Sequence, residues 1–161
     1  MLKRTLLQAA CAAALIALTA CATVPQPVSV TDTIARTADL STLSRLITQA
    51  GLADTLRGAG PYTVFAPSDE AFKALPAGAL DKLAADKDML ISVLTYHVVP
   101  AKVLAADVAT GNAKTVNGAS LALSKAGAFV TVEEALVQAP DLLATNGVVH
   151  TVDRVLMPPK R

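Results

Sequence analysis

The chain has few residues that could stack against a ligand or carry a strong charge pattern. Among 161 residues it has no tryptophan, two tyrosines and three phenylalanines. Binding of sugars or bases by stacking needs several exposed rings, and these five rings are placed like core residues. The 14 basic and 13 acidic residues form no basic stripe. The sequence therefore predicts neither a stacking platform nor nucleic acid as a partner.

Cysteine and histidine are also scarce, and this limits the chemistry that the chain can perform. The two cysteines are Cys11 and Cys21, and the two histidines are His97 and His150. If the first 20 residues are removed, the single remaining cysteine forms no disulfide within one chain. Two histidines without a clear carboxylate partner make a poor metal site. The sequence thus predicts no metal and no cofactor, and no set of catalytic residues stands out, so an enzyme is not expected.

Residues 1–20 have the pattern of an export signal of the lipoprotein kind. Lys3 and Arg4 form a basic start, and residues 5–17 form an almost uncharged stretch, rich in leucine and alanine, that is too short to span a bilayer stably. The segment Leu18-Thr19-Ala20-Cys21 is similar to the lipobox of bacterial lipoprotein precursors, so Cys21 is the predicted lipidation site. An ordinary signal peptide with a chance cysteine is the alternative.

The residues after Cys21 predict a short tether and a location in the cell. Residues 21–30 contain two prolines and no helical period, as expected of a linker between a lipid and a domain. Ala22 occupies the position where an aspartate would resemble the signal for retention at the inner membrane. The sequence therefore predicts an outer-membrane lipoprotein that faces the periplasm or the cell surface.

Helical patterns fill the first half of the remaining chain. A helix is predicted where four apolar residues recur at helical spacing before the stop at Gly51: Leu43, Leu46, Ile47 and Ala50. Further helical runs are expected from Thr31, over Pro76–Ala85 and over Met89–Leu94. Between them Tyr62–Ala66 has the β-branched and aromatic composition of a short buried strand, and Ser68 is the predicted cap of the next helix.

Hairpin patterns fill the second half. Four turn signals separate runs of alternating apolar residues: Asn117-Gly118, Ala126-Gly127, Glu133-Glu134 and Asn146-Gly147. The last run, Val148 to Leu156, is predicted as a closing strand that is covered on both faces, with His150 as a hydrogen-bonded core residue. Helices in one half and hairpins in the other indicate an α+β fold.

Three blocks in this order, "TVFAPSDEAF", "YHVVP" and "TNGVVHTVDRVLMPP", resemble the fasciclin (FAS1) domain, and the resemblance covers residues 31–159. It implies a seven-stranded β-wedge or sandwich flanked by several α-helices. It also implies an adhesion or matrix-binding module, here membrane-anchored, that contacts proteins or polysaccharide at the envelope or a host surface, with a monomeric domain. A small-ligand carrier is the alternative, followed by an envelope hydrolase.

The resemblance also names candidate binding residues. In animal members an acidic residue followed by an aliphatic one, and a Tyr-His pair, are associated with integrin binding. The matching positions here are Asp141-Leu142 and Tyr96-His97. The match is incomplete, because Ala139 replaces an acidic residue and two leucines replace the usual isoleucine and methionine. Asp141 as a turn-forming residue after Pro140 is the structural alternative.

Overall fold

A computed structural model describes residues 28–159, which form a seven-stranded mixed sheet with helices packed against it. The strands lie in the order β2-β1-β7-β6-β5-β4-β3. They are β1 Tyr62–Pro67, β2 Val98–Val99, β3 Gly111–Lys114, β4 Ser120–Ala126, β5 Phe129–Val132, β6 Ala135–Ala144 and β7 Gly147–Val152. The predicted α+β class and the seven strands are confirmed.

Between residues 28 and 159 all of the helices precede the hairpins, as the sequence pattern predicts. In the described part of the chain they are α1 Val30–Arg36, α2 Ser41–Ala50, α3 Ala53–Arg57, α4 Asp69–Lys73, α5 Ala79–Ala85 and α6 Lys87–Tyr96, with a short 3-10 helix at Ala38–Leu40. None of the helices between residues 28 and 159 has the length and apolar character needed to cross a membrane.

Local signals explain where individual helices begin and end. The four periodic apolar residues of α2 are all buried, and Gly51 closes the helix in the left-handed conformation at φ 75°, which glycine adopts without a steric penalty. The Ser68 side chain accepts a hydrogen bond from the Ala71 amide at the start of α4, which satisfies one of the free amides of the first turn. Both predicted boundaries are confirmed.

Strand β7 lies at the centre of the fold. It pairs in parallel with β1 and antiparallel with β6, and all six of its residues are buried. The prediction that both faces are covered is therefore confirmed. The predicted extension to Leu156 is wrong, because the strand ends at Val152 and the chain then bends. The bend brings the Leu156 amide to His97, 3.0 Å from Nε2.

The sheet separates two apolar clusters. Alternate residues of β1 point to opposite sides: Val64 and Ala66 belong to a cluster with the helices, and Phe65 belongs to a second cluster with β4 and β5. The same alternation holds in β7, where Val149 joins the first cluster and Val152 the second. Both faces of the central strands are buried against the two clusters. The exposed side chains that could contact a partner therefore lie on loops and on strand β6.

The side chain of Asn146 ties the start of the described chain to the β6–β7 turn. Its Oδ1 accepts from the Val30 amide at 2.8 Å, and its Nδ2 donates to the carbonyls of Leu56 and Gly58 at 2.7 and 2.9 Å. The Thr145 amide also donates to the Val28 carbonyl at 2.9 Å. The chain that precedes Val28 therefore joins the domain beside this turn.

Candidate functional site

Strand β6 is irregular in its second half. Its pairing with β7 shifts register between Val137 and Ala139 and again between Ala139 and Leu142. Within this irregularity Asp141 has φ 58°, a left-handed conformation that is uncommon for residues other than glycine but is tolerated best by Asn and Asp. We call Ala139–Leu142 the β6 bulge. The alternative interpretation of Asp141 as a turn-forming residue is consistent with this backbone.

Two hydrogen bonds of Asp141 hold the bulge to the rest of the molecule, and a third extends the connection from His150 to a loop. The Asp141 carboxylate accepts from the Ala105 amide at 2.8 Å, and the Asp141 amide donates to His150 Nδ1 at 3.1 Å. On its other side, His150 Nε2 lies 2.8 Å from the Val103 carbonyl. Val103 and Ala105 belong to the segment between β2 and β3, residues 100–110, which we call the β2–β3 loop. The histidine and the aspartate thus join the bulge, the central strand and this loop.

His150 is a core residue with both ring nitrogens satisfied, as the sequence predicts. Its side chain is 1% exposed, and its ring stacks on Phe65 with centroids 5.5 Å apart. Burial lowers the pKa of His150, and this is opposed in part by the Val103 carbonyl and by the charge of Asp141. Because the surroundings penalise the charged form, the ring is neutral at ordinary pH.

Tyr96 lies in the interior, where its side chain is 3% exposed. Its hydroxyl is 3.2 Å from Glu133 Oε1 and 3.3 Å from the Ser120 carbonyl. Burial, together with the charge of Glu133 and the hydrogen bond to it, raises the pKa of Tyr96 to about 12. In this conformation the ring has no surface to offer a partner.

His97 is buried as well, at 2% exposure. Nδ1 lies 2.8 Å from the Val93 carbonyl in α6, and Nε2 accepts from the Leu156 amide. Burial lowers the pKa of His97 to about 4, against a weaker opposing effect of the Val93 carbonyl. Both residues of the Tyr-His pair are therefore buried, and their role in binding stays a prediction.

The two adjacent leucines of β6 have opposite environments. Leu142 is half-buried and packs against the helix-side cluster. Leu143, by contrast, is 65% exposed. Side chains alternate along a strand, so one of two neighbours must face outward. The register shift before Leu142 decides that Leu143 is the exposed one. We call the segment Pro140–Leu143, with the adjoining Val103–Ala105 of the loop, the β6 patch.

Two concave regions lie near these elements. A mainly apolar groove of about 640 Å³ runs between α6 and the C-terminal segment, and Met89 and Met157 are half-exposed beside it. A smaller one of about 360 Å³ adjoins the bulge and includes Ala139, Leu142 and Thr151, with acidic residues on its rim. Across residues 28–159 no group of three or more His, Cys, Asp or Glu side chains is arranged to hold a metal ion.

A mixed sheet with a buried histidine, His150, in an interior strand and with helices over one side defines a FAS1-type domain. The chain belongs to the fasciclin family, because the Fasciclin domain model matches residues 38–158. A solved structure of a FAS1 domain pair from the insect cell adhesion molecule Fasciclin I superimposes with a TM-score of 0.66 over 81% of this chain and 51% of that chain, at 17% identity. That similarity supports the fold.

Relatives come from bacteria and from mammals. The protein sll1483 of Synechocystis is 43% identical over 121 residues, covering 74% of this chain and 67% of that protein. The cell surface glycolipoprotein MPB83 of Mycobacterium bovis is 38% identical over 125 residues, covering 74% of this chain and 56% of that protein. Proteins that share this domain therefore include a cell-surface protein and a cell adhesion molecule.

Proposed function

We propose that this protein is an exported, lipid-anchored binding module that contacts proteins or polysaccharide at the cell envelope or on a host surface. The partner docks on the β6 patch. The observation that carries the proposal is an exposed aliphatic side chain, Leu143, beside an aspartate whose backbone and carboxylate are both fixed. The cell-surface relative and the structure of an adhesion molecule support an adhesive role.

The geometry of the patch favours binding of a macromolecule over catalysis. The Asp141 carboxylate is held by the loop amide, and its own amide is held by His150, so the segment is ordered before a partner arrives. A preorganised surface loses less conformational entropy on binding. One exposed leucine beside a charge gives modest affinity, which suits a surface that acts in many copies.

Leu143→Ser is expected to weaken attachment by roughly fivefold or more, because truncation of a central aliphatic contact costs about 1–2 kcal/mol. Asp141→Ala should weaken attachment as well, since it frees the loop from the bulge. Attachment of cells that carry each variant would be measured on immobilised envelope fragments, on envelope polysaccharide and on host matrix, against cells without the protein.

Leu136→Ser is the matched control, because Leu136 lies on the same strand, is also exposed and is outside the patch. This variant should attach like the wild type. Circular dichroism and thermal melting would establish that all three variants are folded. If folded Leu143→Ser and Asp141→Ala cells attach as strongly as the wild type on every surface to which the wild type attaches, the β6 patch is not the docking site.

The membrane anchor is the second part of the proposal, and it concerns residues outside the described part of the chain. We propose that Cys21 is the lipidated residue, that residues 1–20 are removed, that residues 21–30 serve as the tether and that the protein resides in the outer membrane. The segment before Val28 joins the domain at the β6–β7 turn. The part of this segment that precedes Val28, residues 21–27, spans about 25 Å at most when fully extended, so the domain remains close to the membrane.

Mass spectrometry of the protein extracted from membranes is expected to find an acylated Cys21 at its N-terminus. Cys21→Ser should abolish acylation. It should also release the chain from the membrane fraction, because a chain without the lipid has no lasting membrane attachment. Cys11→Ser is the control and should leave acylation intact. A mature chain that begins at another residue without a lipid would disprove the assignment.

A further inference from the structure

We infer that His150 is an acid-sensitive latch that fixes the β6 patch at neutral pH and releases it when the imidazole takes up a proton at Nδ1. The inference rests on the proposed function in one respect, namely that the released surface is the docking surface. The latch itself follows from the hydrogen bonds around the ring.

The partners of His150 define its protonation state. A backbone amide can only donate, so the Asp141 amide at 3.1 Å requires a lone pair on Nδ1. A carbonyl can only accept, so the Val103 oxygen at 2.8 Å requires a proton on Nε2. The ring is therefore neutral with its proton on Nε2, which is the one state in which both bonds exist.

Protonation removes the acceptor on which the bulge depends. A proton on Nδ1 would face the Asp141 N–H, so this hydrogen bond would be replaced by a repulsion between two donors. Asp141 is in the left-handed conformation, which is maintained only while its surroundings hold it there. Loss of the hydrogen bond from the Asp141 amide to His150 therefore frees the bulge. Because the Asp141 carboxylate accepts from the Ala105 amide, the loop is released with it.

The charges around the ring set the direction of the pH response. From β6, Asp141 is the charged group that acts on the imidazole, and it favours the protonated form. From β1, the neighbour is the uncharged Phe65 ring, and from the β2–β3 loop it is the Val103 carbonyl, with Lys102 exposed next to it. Burial outweighs Asp141, so the pKa lies below the ordinary 6.5 and release occurs only in acid.

The tautomer of His97 shows that this device is specific to His150. His97 has its proton on Nδ1, facing Val93, and accepts at Nε2 from Leu156. Its partners lie in α6 and in the C-terminal segment and not in the β6 patch. A proton on His97 therefore acts on the core, whereas a proton on His150 acts on the surface.

Amide hydrogen exchange of the full chain, followed by NMR and corrected for intrinsic rates, tests the latch between about pH 7.5 and about pH 4.5. The protection of the Asp141 and Ala105 amides should fall at least tenfold as the His150 ring titrates. The Phe65 amide, which donates to the His97 carbonyl at 2.9 Å between β1 and β2, reports global opening and should lose much less protection. The pH of the change is read from the His150 ring resonances in the same samples.

His150→Asn is the matched variant, because its side-chain oxygen can accept from the Asp141 amide and does not titrate in this range. Its Asp141 amide should show no acid-dependent loss beyond that of Phe65. The latch is refuted if Asp141 stays protected while the wild-type ring is protonated, or if Asp141 and Phe65 lose protection together. Both of these readings come from the wild type, so they stand even if the variant does not fold.

The attachment assay separates this inference from the proposed function. If both are correct, attachment declines in acid for the wild type and stays constant for folded His150→Asn. If the exchange experiment shows release but Leu143→Ser cells attach normally, the latch stands and the docking site is wrong. If Leu143→Ser abolishes attachment but exchange shows no release, the docking site stands and the latch is wrong.

Discussion

Gly147→Ala is expected to lower the free energy of unfolding by roughly 3 kcal/mol or more, because the new methyl group has no space. A Cβ at this position would lie 2.0 Å from the Tyr62 carbonyl oxygen and 3.0 Å from Cγ2 of Val30. The obstacle is the backbone of the neighbouring strand β1, which cannot move aside by a side-chain rotation. Gly147 also opens β7, the central strand, so displacement of its start disturbs the pairing with both neighbours.

Gly111→Ala is the matched control, since Gly111 is also the first residue of a strand and no atom lies within 4 Å of its would-be Cβ. This variant should change stability by less than about 1 kcal/mol, with a small gain possible because alanine restricts the unfolded chain. Urea unfolding of the two variants and the wild type at one pH measures the difference. Equal effects of the two substitutions would show that the close approach of β1 and β7 does not determine the need for glycine.

Acid is expected to destabilise the fold by up to about 3 kcal/mol through His97 alone. The unfolded residue binds a proton near its ordinary pKa of 6.5, and the folded one only near 4. Between these values the unfolded state holds more protons, so stability is complete above about pH 6.5 and is lost as the pH falls toward 4. Each unit of pKa difference corresponds to about 1.4 kcal/mol, which gives the stated limit.

Unfolding by urea at about pH 7, 6, 5 and 4.5 would measure this loss in the wild type and in His97→Gln. The His97→Gln variant should be less stable than the wild type at neutral pH, because glutamine does not reproduce both hydrogen bonds of His97. Its stability should not change with the titration of this position, because glutamine does not titrate. The two curves should therefore converge as the pH falls. Asp32 and Asp69 contribute little above about pH 4.5, because the lowered pKa of each carboxyl produces most of its loss of stability below 3.8. Parallel curves would show that His97 is not the source.

Protonation of the two histidines has different consequences because their partners differ, although both side chains are buried. His97 connects α6 to the segment after β7, so its protonation weakens the whole fold. His150 connects a strand bulge to a loop, so its protonation loosens a surface. A protein with so few titratable groups in its interior concentrates its response to acid in these two residues.

Several local features of the fold could be predicted from the sequence because the responsible interactions are short-range. The end of α2 at Gly51 and the cap at Ser68 depend on residues within one helical turn. The hairpins need residues that tolerate positive φ, and Gly118 at 92° and Gly127 at 63° supply them. The burial of His150 also follows from its apolar neighbours along the strand.

The site was decided by contacts that the sequence pattern does not contain. The Asp141 carboxylate contacts Ala105, 36 positions earlier, and the His150 ring contacts Val103, 47 positions earlier.

The alternation of side chains along a strand also fails at the β6 bulge, since an extra residue reverses which side chains face outward. This is why Leu143, and not Leu142, is the exposed leucine. The sequence by itself determined the helices, the turns and the family, because those depend on neighbours along the chain. Only the tertiary structure brought one aspartate, one histidine and one loop together, because their pairing depends on the register of strands that lie far apart in the sequence.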